Sequence, residues 1–143
     1  MFLGEHNHTI DDKSRIIIPS KFRSELGESF IITCGFEKCL VIYPVHRWIQ
    51  YTEKISKLPS TDRDVRAFTR LIYSKAQEVS LDKMGRIVIP QNLKNYASIE
   101  KEAFINGNYD TIEIWAKDVW NNYSENIEVD FEERAQKISE KEI

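Results

Sequence analysis

The sequence lacks several features that would place it in common functional classes. None of its apolar runs approaches the roughly 20 residues that a membrane-spanning helix needs. Residues 1–6 contain neither the basic nor the apolar segment of a secretory signal, so we expect a cytoplasmic protein. The two cysteines, Cys34 and Cys39, have no histidine partners at metal-ligand spacing, which favours two buried thiols over a metal site.

Motifs that carry catalysis are also missing. The chain has no glycine-rich phosphate loop, no His-Glu-x-x-His and no Gly-x-Ser-x-Gly. Asp11 and Asp12 are adjacent and would point to opposite faces of an extended chain, a poor arrangement for paired carboxylate chemistry. We therefore expect neither an enzyme nor a cofactor.

An excess of positive charge is the third absence, because the net charge is −3. The acidity is local: residues 125–143 hold seven acidic and three basic side chains, which leaves the rest of the chain at +1. Residues 10–23 hold four basic side chains against two acidic ones, and residues 81–94 hold three against one. These two segments keep nucleic-acid binding open on a chain whose net charge argues against it.

The two basic segments are copies of each other. Each has Asp-x-x-x-Arg, then three β-branched residues, a proline and the start of a short helix. Asp11 matches Asp82 and Arg15 matches Arg86 at a single offset. The correspondence continues downstream with a shift of one residue, where Gly35 matches Gly107 and Trp48 matches Trp120. The chain is therefore two copies of one unit.

Half of 143 residues would bury too little apolar surface to fold alone, so we expect one domain, residues 1–143. Residues 5–58 form the first repeat, 59–75 a helical connector, 76–125 the second repeat and 126–143 a charged tail. Short alternating strands predict a mainly β protein with helical additions, an α+β class. Ser20 is the predicted N-cap of the first short helix, and Asn106-Gly107-Asn108 the predicted turn of the last hairpin.

The repeated aspartate and arginine allow two interpretations. In the first, an ion pair pins the turn, which contributes only about 0–1 kcal/mol at an exposed site. In the second, the aspartate orients the guanidinium, which then offers two parallel donors to the O6/N7 edge of guanine or to a phosphate. Lys13 and Lys83 would add phosphate contacts that position the protein without reading sequence.

Three sets of residues resemble the MraZ family of bacterial transcription regulators. They are the two Asp-x-x-x-Arg turns with their Ile-x-Ile-Pro continuations, the opening Met1-Phe2-Leu3-Gly4, and Glu113-Ile114-Trp115. The resemblance covers about residues 1–125. It implies a SpoVT-AbrB-type swapped-hairpin β-barrel, in which the two repeats interlock and the helices lie outside. It also implies a cytoplasmic, nucleoid-associated ring of identical subunits that binds direct repeats of double-stranded DNA in the promoter of the division and cell-wall gene cluster.

The resemblance assigns DNA binding to eight residues of the two turns: Asp11, Lys13, Ser14, Arg15, Asp82, Lys83, Gly85 and Arg86. The family pattern has glycine before the arginine, and Ser14 departs from it. Either Ser14 adopts a positive φ at a cost of about 1–3 kcal/mol, or the first turn has a different shape.

Two other functions stay open at this point. The chain could be an antitoxin-like module whose acidic tail wraps a toxin, with four apolar anchors available: Ile127, Val129, Phe131 and Ile138. It could also be a scaffold without a nucleic-acid role, which a salt titration of DNA binding would reveal. Phe2, Leu3 and Phe36 could supply contacts between subunits or belong to the core.

Overall fold

A computed structural model describes residues 1–141. The strands are β1 (Glu5–Thr9), β2 (Arg15–Ile17), β3 (Ser29–Cys34), β4 (Leu40–Pro44), β5 (Gln77–Ser80), β6 (Arg86–Val88), β7 (Glu102–Asn108) and β8 (Thr111–Ala116). The helices are α1 (Ser20–Leu26), α2 (Val45–Ser56), α3 (Arg63–Lys75), α4 (Gln91–Ala97), α5 (Lys117–Val129) and α6 (Phe131–Lys141). The predicted α+β class is confirmed. No helix within residues 1–141 has the length and apolar character to cross a membrane.

The strands form a six-stranded antiparallel sheet and a separate two-stranded ribbon. The sheet has the order β1-β7-β8-β4-β3-β5, and the ribbon pairs β2 with β6. Hydrogen bonds do not close the sheet, which ends at β1 and β5, so the continuous barrel implied by the resemblance stays an expectation.

The two repeats exchange strands about a local two-fold axis. The first strand of each repeat pairs with the third strand of the other, β1 with β7 and β5 with β3. The sheet order therefore reads the same when the repeats are interchanged. In the ribbon, Ile16 lies opposite Ile87, so the axis passes between these two residues. We call this axis the pseudo-dyad.

One hydrophobic core takes residues from both repeats. The strict alternation of β2 and β6 buries Ile16 and Ile87, each 1% exposed, beside the pseudo-dyad. Helices α1 and α4 bury residues four apart, Phe22 with Leu26 and Leu93 with Ala97. Each large apolar side chain contributes roughly 1.5–3 kcal/mol through burial.

The predicted N-cap at Ser20 is wrong. Ser20 is the first helical residue of α1, and Pro19 takes the cap position with no side-chain hydrogen bond. Pro90 does the same for α4. The extended ψ of these prolines, 133° and 141°, together with their fixed φ, sets the chain direction before the first turn of helix. Helix α3, in contrast, has a side-chain cap, because the carboxylate of Asp62 accepts hydrogen bonds from the first turn of the helix.

The predicted turn at Asn106-Gly107-Asn108 is also wrong, because these residues lie inside β7 and the chain reverses after Asn108. The N-terminal segment crosses β7 at residue 107 and leaves no room for a side chain there, which explains the glycine. A methyl group there would overlap the backbone of Phe2, and the Gly107 N–H donates to the Gly4 carbonyl at 2.8 Å. Phe2 is fully buried, whereas Leu3 is exposed.

Candidate nucleic-acid interface

Turn 1, residues 11–15, joins β1 to β2 and is shaped by a single aspartate. The Ser14 N–H donates to the Asp11 carbonyl at 3.0 Å, and the Asp11 N–H donates to the Arg15 carbonyl at 3.1 Å. Oδ1 of Asp11 accepts two further backbone N–H groups, from Lys13 at 3.0 Å and Arg15 at 2.9 Å. The carboxylate thus replaces the backbone partners that a tight turn leaves unpaired.

Turn 2, residues 82–86, repeats this arrangement between β5 and β6. Oδ1 of Asp82 accepts the N–H groups of Met84 and Arg86, both at 2.9 Å. The Gly85 N–H donates to the Asp82 carbonyl at 3.0 Å. Ser14 has φ 60° and Gly85 has φ 79°, so Ser14 takes the positive φ and the alternative of a different shape for turn 1 is wrong.

Each aspartate also holds the arginine of its own turn. Nε of Arg15 donates to Oδ2 of Asp11 at 2.7 Å, and Nε of Arg86 donates to Oδ2 of Asp82 at 2.8 Å. Backbone hydrogen bonds from the two arginines are the main reason that the pKa of both aspartates is lowered, so both stay ionised at neutral pH. Within residues 1–141 the arginine Nη groups have no protein partner, which leaves the terminal donor pair of each guanidinium for a ligand.

The β2–β6 ribbon brings the two turns onto one surface. Arg15 lies opposite Val88, and Arg86 lies opposite Ile17, so the two arginines occupy diagonal positions across the pseudo-dyad. Ile17 and Val88 are 37% and 56% exposed although they are apolar. Sequence reasoning missed this pair; their place as the central residue of each Ile-x-Ile could have indicated it, because a strand alternates its faces.

The two lysines do not occupy equivalent positions. Lys13 and Met84 are the third residues of their turns, and both donate a backbone N–H to the aspartate. Lys83 is a second residue and corresponds to Asp12. Both lysines are exposed at the turn tips. Each turn has two basic side chains, but turn 1 has two acidic ones and turn 2 has one, so only turn 2 has a net positive charge.

Each turn also contacts a basic side chain of the other repeat. Nζ of Lys94, on α4, donates to Oγ of Ser14 at 2.9 Å. Nε of Arg23, on α1, donates to the Ile18 carbonyl at 2.9 Å, and its guanidinium covers Gly85. Sequence reasoning missed both contacts, although Arg23 and Lys94 occupy the same position in the two copies.

A family model described as "MraZ protein, putative antitoxin-like" matches residues 1–71 and again residues 72–140, one match for each repeat. The chain belongs to the MraZ family. The predicted family is confirmed, and so is the prediction that the chain is two copies of one unit.

Curated relatives match nearly the whole of this MraZ-family chain. The protein from Clostridium tetani is 52% identical and that from Clostridium acetobutylicum 53% identical, each over 98% of both chains. A relative from Thermoanaerobacter is 46% identical over the same share. All three are named "Transcriptional regulator MraZ".

Other candidate chemistry in this MraZ-family chain is weaker. Cys34 and Cys39 are both buried, as predicted, and burial raises the pKa of the Cys39 thiol, which suppresses the reactive thiolate. Among residues 1–141, no three acidic, histidine or cysteine side chains converge as a metal site would require. The residues of turn 1 and turn 2 are therefore the best candidates for a functional site.

Proposed function

We propose that this chain is a transcription regulator that binds double-stranded DNA through turn 1 and turn 2. The observation that carries the proposal is the pair of arginines on one ribbon, each held through Nε by the aspartate of its own turn. Fixing Nε removes much of the rotational freedom of the side chain before DNA arrives. Less conformational entropy is then lost on binding.

The free Nη pair matches the O6/N7 edge of guanine in the major groove, a contact that discriminates by about 1–3 kcal/mol. A two-stranded ribbon fits that groove. The exposed apolar Ile17 and Val88 lie beside the arginines and suit contact with a thymine methyl group. Lys13 and Lys83, exposed at the tips, suit phosphate oxygens.

The proposed target is a set of short direct repeats in the promoter of the division and cell-wall gene cluster, bound at the nucleoid. One protomer presents few cations, so it should bind weakly at cellular salt. Several linked protomers would raise avidity by about 10²–10⁴. A cyclic ring presents its turns in one sense around the rim, which suits direct repeats, whereas a two-fold dimer suits inverted ones.

Arg86→Ala tests the site. With an operator recovered by selection from random-sequence DNA, we expect a loss of about 1–3 kcal/mol in binding and a relaxed base preference at one position. Arg70→Ala, on the exposed face of α3 in the helical segment between the repeats, is the matched control and should bind normally. Unchanged affinity of Arg86→Ala would remove the site assignment.

Light scattering with and without DNA tests the assembly. We expect a homo-oligomer, with affinity rising steeply from one to two to three direct repeats. Leu3 and Phe36, 52% and 69% exposed, are available for contacts between subunits, whereas the buried Phe2 is not. A monomer that binds one repeat as tightly as three would contradict the proposal.

We also propose that residues 1–143 are one domain in which both repeats are required. Residues of both repeats share the main core, including Ile16 and Ile87. Cleavage between residues 57 and 62 should therefore leave fragments that stay associated and unfold together. Two fragments that fold separately would contradict this.

An antitoxin-like role is the second candidate, and one observation favours it. Val129, Phe131 and Ile138 on α5 and α6 are 88%, 68% and 58% exposed, so they could meet another protein. Within the described residues, however, most of the tail lies in helices, the end of α5 and all of α6, rather than in an extended peptide. Deleting residues 126–143 discriminates the two, because a regulator that reads DNA through its turns should keep operator affinity per subunit, whereas an antitoxin should lose its partner.

A further inference from the structure

We propose that Arg23 and Lys94 anchor DNA phosphates, and that each serves the turn of the repeat to which it does not belong. The inference rests on the proposed function and extends its site from the turns to α1 and α4. Arg23 covers Gly85 of turn 2, and Lys94 bonds to Ser14 of turn 1.

Neither cation has an acidic partner among residues 1–141. Arg23 uses only Nε, on the Ile18 carbonyl, and Lys94 uses one of its three protons, on Ser14. Their remaining donors have no protein partner in the part of the chain that the structure describes. A partly buried cation without a counter-ion is a favourable place for an anion.

The position of Arg23 points to phosphate rather than to base. Its guanidinium lies on Gly85, the residue next to the reading arginine Arg86. Phosphates flank the groove into which a base-reading side chain projects, so a cation beside such a side chain meets the backbone. Held by Ile18, Arg23 has a fixed place relative to Arg86.

Residue 85 decides whether Arg23 can take this place. Any side chain on Gly85 would overlap the guanidinium, which would have to move away. In turn 1 the equivalent residue carries a hydroxyl, and the cation above it is the slimmer Lys94. Each cation is thus matched to the residue beneath it: arginine with glycine, and lysine with serine.

The test is the salt dependence of binding, measured for Arg23→Gln, Lys94→Gln and the control Arg70→Gln. The probes are the selected operator and a scrambled duplex of equal length. Loss of a phosphate contact should make the slope of log affinity against log salt shallower by about 0.9 for each turn bound to DNA. It should also weaken binding to both duplexes by the same factor. Arg70→Gln should match the unmodified protein.

Two further variants separate charge from structure. Arg23→Lys loses the fork but keeps the charge, so the salt slope should return. Gly85→Ser should lower the slope by displacing Arg23, and Gly85→Ser combined with Arg23→Lys should restore it by rebuilding the pair of turn 1.

The outcomes distinguish this inference from the proposed function. If Arg23→Gln and Lys94→Gln keep the slope of Arg70→Gln while Arg86→Ala loses affinity, the phosphate role is wrong and the function stands. If Arg86→Ala also binds normally, the proposed function fails. If Arg23→Lys is as deficient as Arg23→Gln, the role of Arg23 is structural and the inference is overturned.

Discussion

Turn 1 and turn 2 have one backbone shape but different surfaces. Both are closed by an aspartate that accepts two N–H groups and the arginine Nε, with all six distances between 2.7 and 3.0 Å. Their differences lie at the tips, where Asp12 and Lys13 correspond to Lys83 and Met84, and at residues 14 and 85. The groups that shape the turn are thus the same in both copies, while the groups around them vary.

The largest expected effects lie where the two repeats are most alike. Ile16→Ala and Ile87→Ala each remove a fully buried side chain beside the pseudo-dyad, so each should lower the free energy of unfolding by about 2–5 kcal/mol. Equivalent environments predict equal losses, which denaturant titration at one protein concentration would measure. A difference of more than about half of the larger loss would show that the repeats are energetically unequal even at the axis.

Gly85→Ala tests whether turn 2, unlike turn 1, needs a glycine before its arginine. The positive φ of Gly85 costs an alanine about 1–2 kcal/mol, and the new methyl group also displaces Arg23. We expect a lower free energy of unfolding by about 1–3 kcal/mol together with a reduced salt slope for DNA binding. Unchanged stability would mean that Gly85 is dispensable for the shape of turn 2.

Ser14→Gly should have the opposite local effect on turn 1. Glycine relieves the strain of φ 60°, about 1–2 kcal/mol, but removes the hydroxyl that accepts a hydrogen bond from Lys94, about 0.5–1.5 kcal/mol. The two terms nearly cancel, so the free energy of unfolding, measured by thermal unfolding, should change by less than about 1 kcal/mol in either direction. Ser14→Ala keeps the strain and loses the bond, and it should be the less stable of the two.

The smallest effect should come from acid. The pKa values of Asp11 and Asp82 are lowered below about 3.9, the value of an unfolded aspartate, first by backbone hydrogen bonds from Arg15 and Arg86. Their ionised forms therefore stabilise the turns above about pH 3.9, and this stabilisation is lost as the pH falls through the lowered folded values. Carboxyl NMR titration should give both aspartates a lower pKa than that of Asp11 in an unfolded peptide of residues 10–16. If either aspartate had the pKa of the peptide, the carboxylate of that turn would not be held by the hydrogen bonds described above.

Much of this architecture could be predicted from local pattern. The Asp-x-x-x-Arg spacing, the β-branched triplets and the prolines each act within a few residues, so both turns and both short helices follow from sequence. Gly107 was misplaced because its cause is distant: the backbone of Phe2 crosses it from 105 residues away. A glycine that leaves room for another segment has the same local signature as one that forms a turn.

The contacts of the candidate site also fall into local ones, which could be predicted, and distant ones, which could not. The pairing of Asp11 with Arg15 is local and could be predicted, whereas Arg23 and Lys94 reach the turns only because the repeats exchange strands. The pairing of β2 with β6 could not be derived from strand propensity, since each repeat has only three residues in that ribbon. Tertiary exchange, rather than propensity, sets the outer part of the site.

The pseudo-dyad has a consequence for strand polarity. A ribbon with a true two-fold axis would lie on a duplex equally well in two opposite orientations, so it could not tell one direction along the helix from the other. Covalent fusion of the repeats lets one half change while the other is kept. Arginine lies over glycine on one side and lysine on serine on the other. In the proposed DNA complex the two orientations would therefore be chemically distinct, and a single chain would register which way a sequence runs.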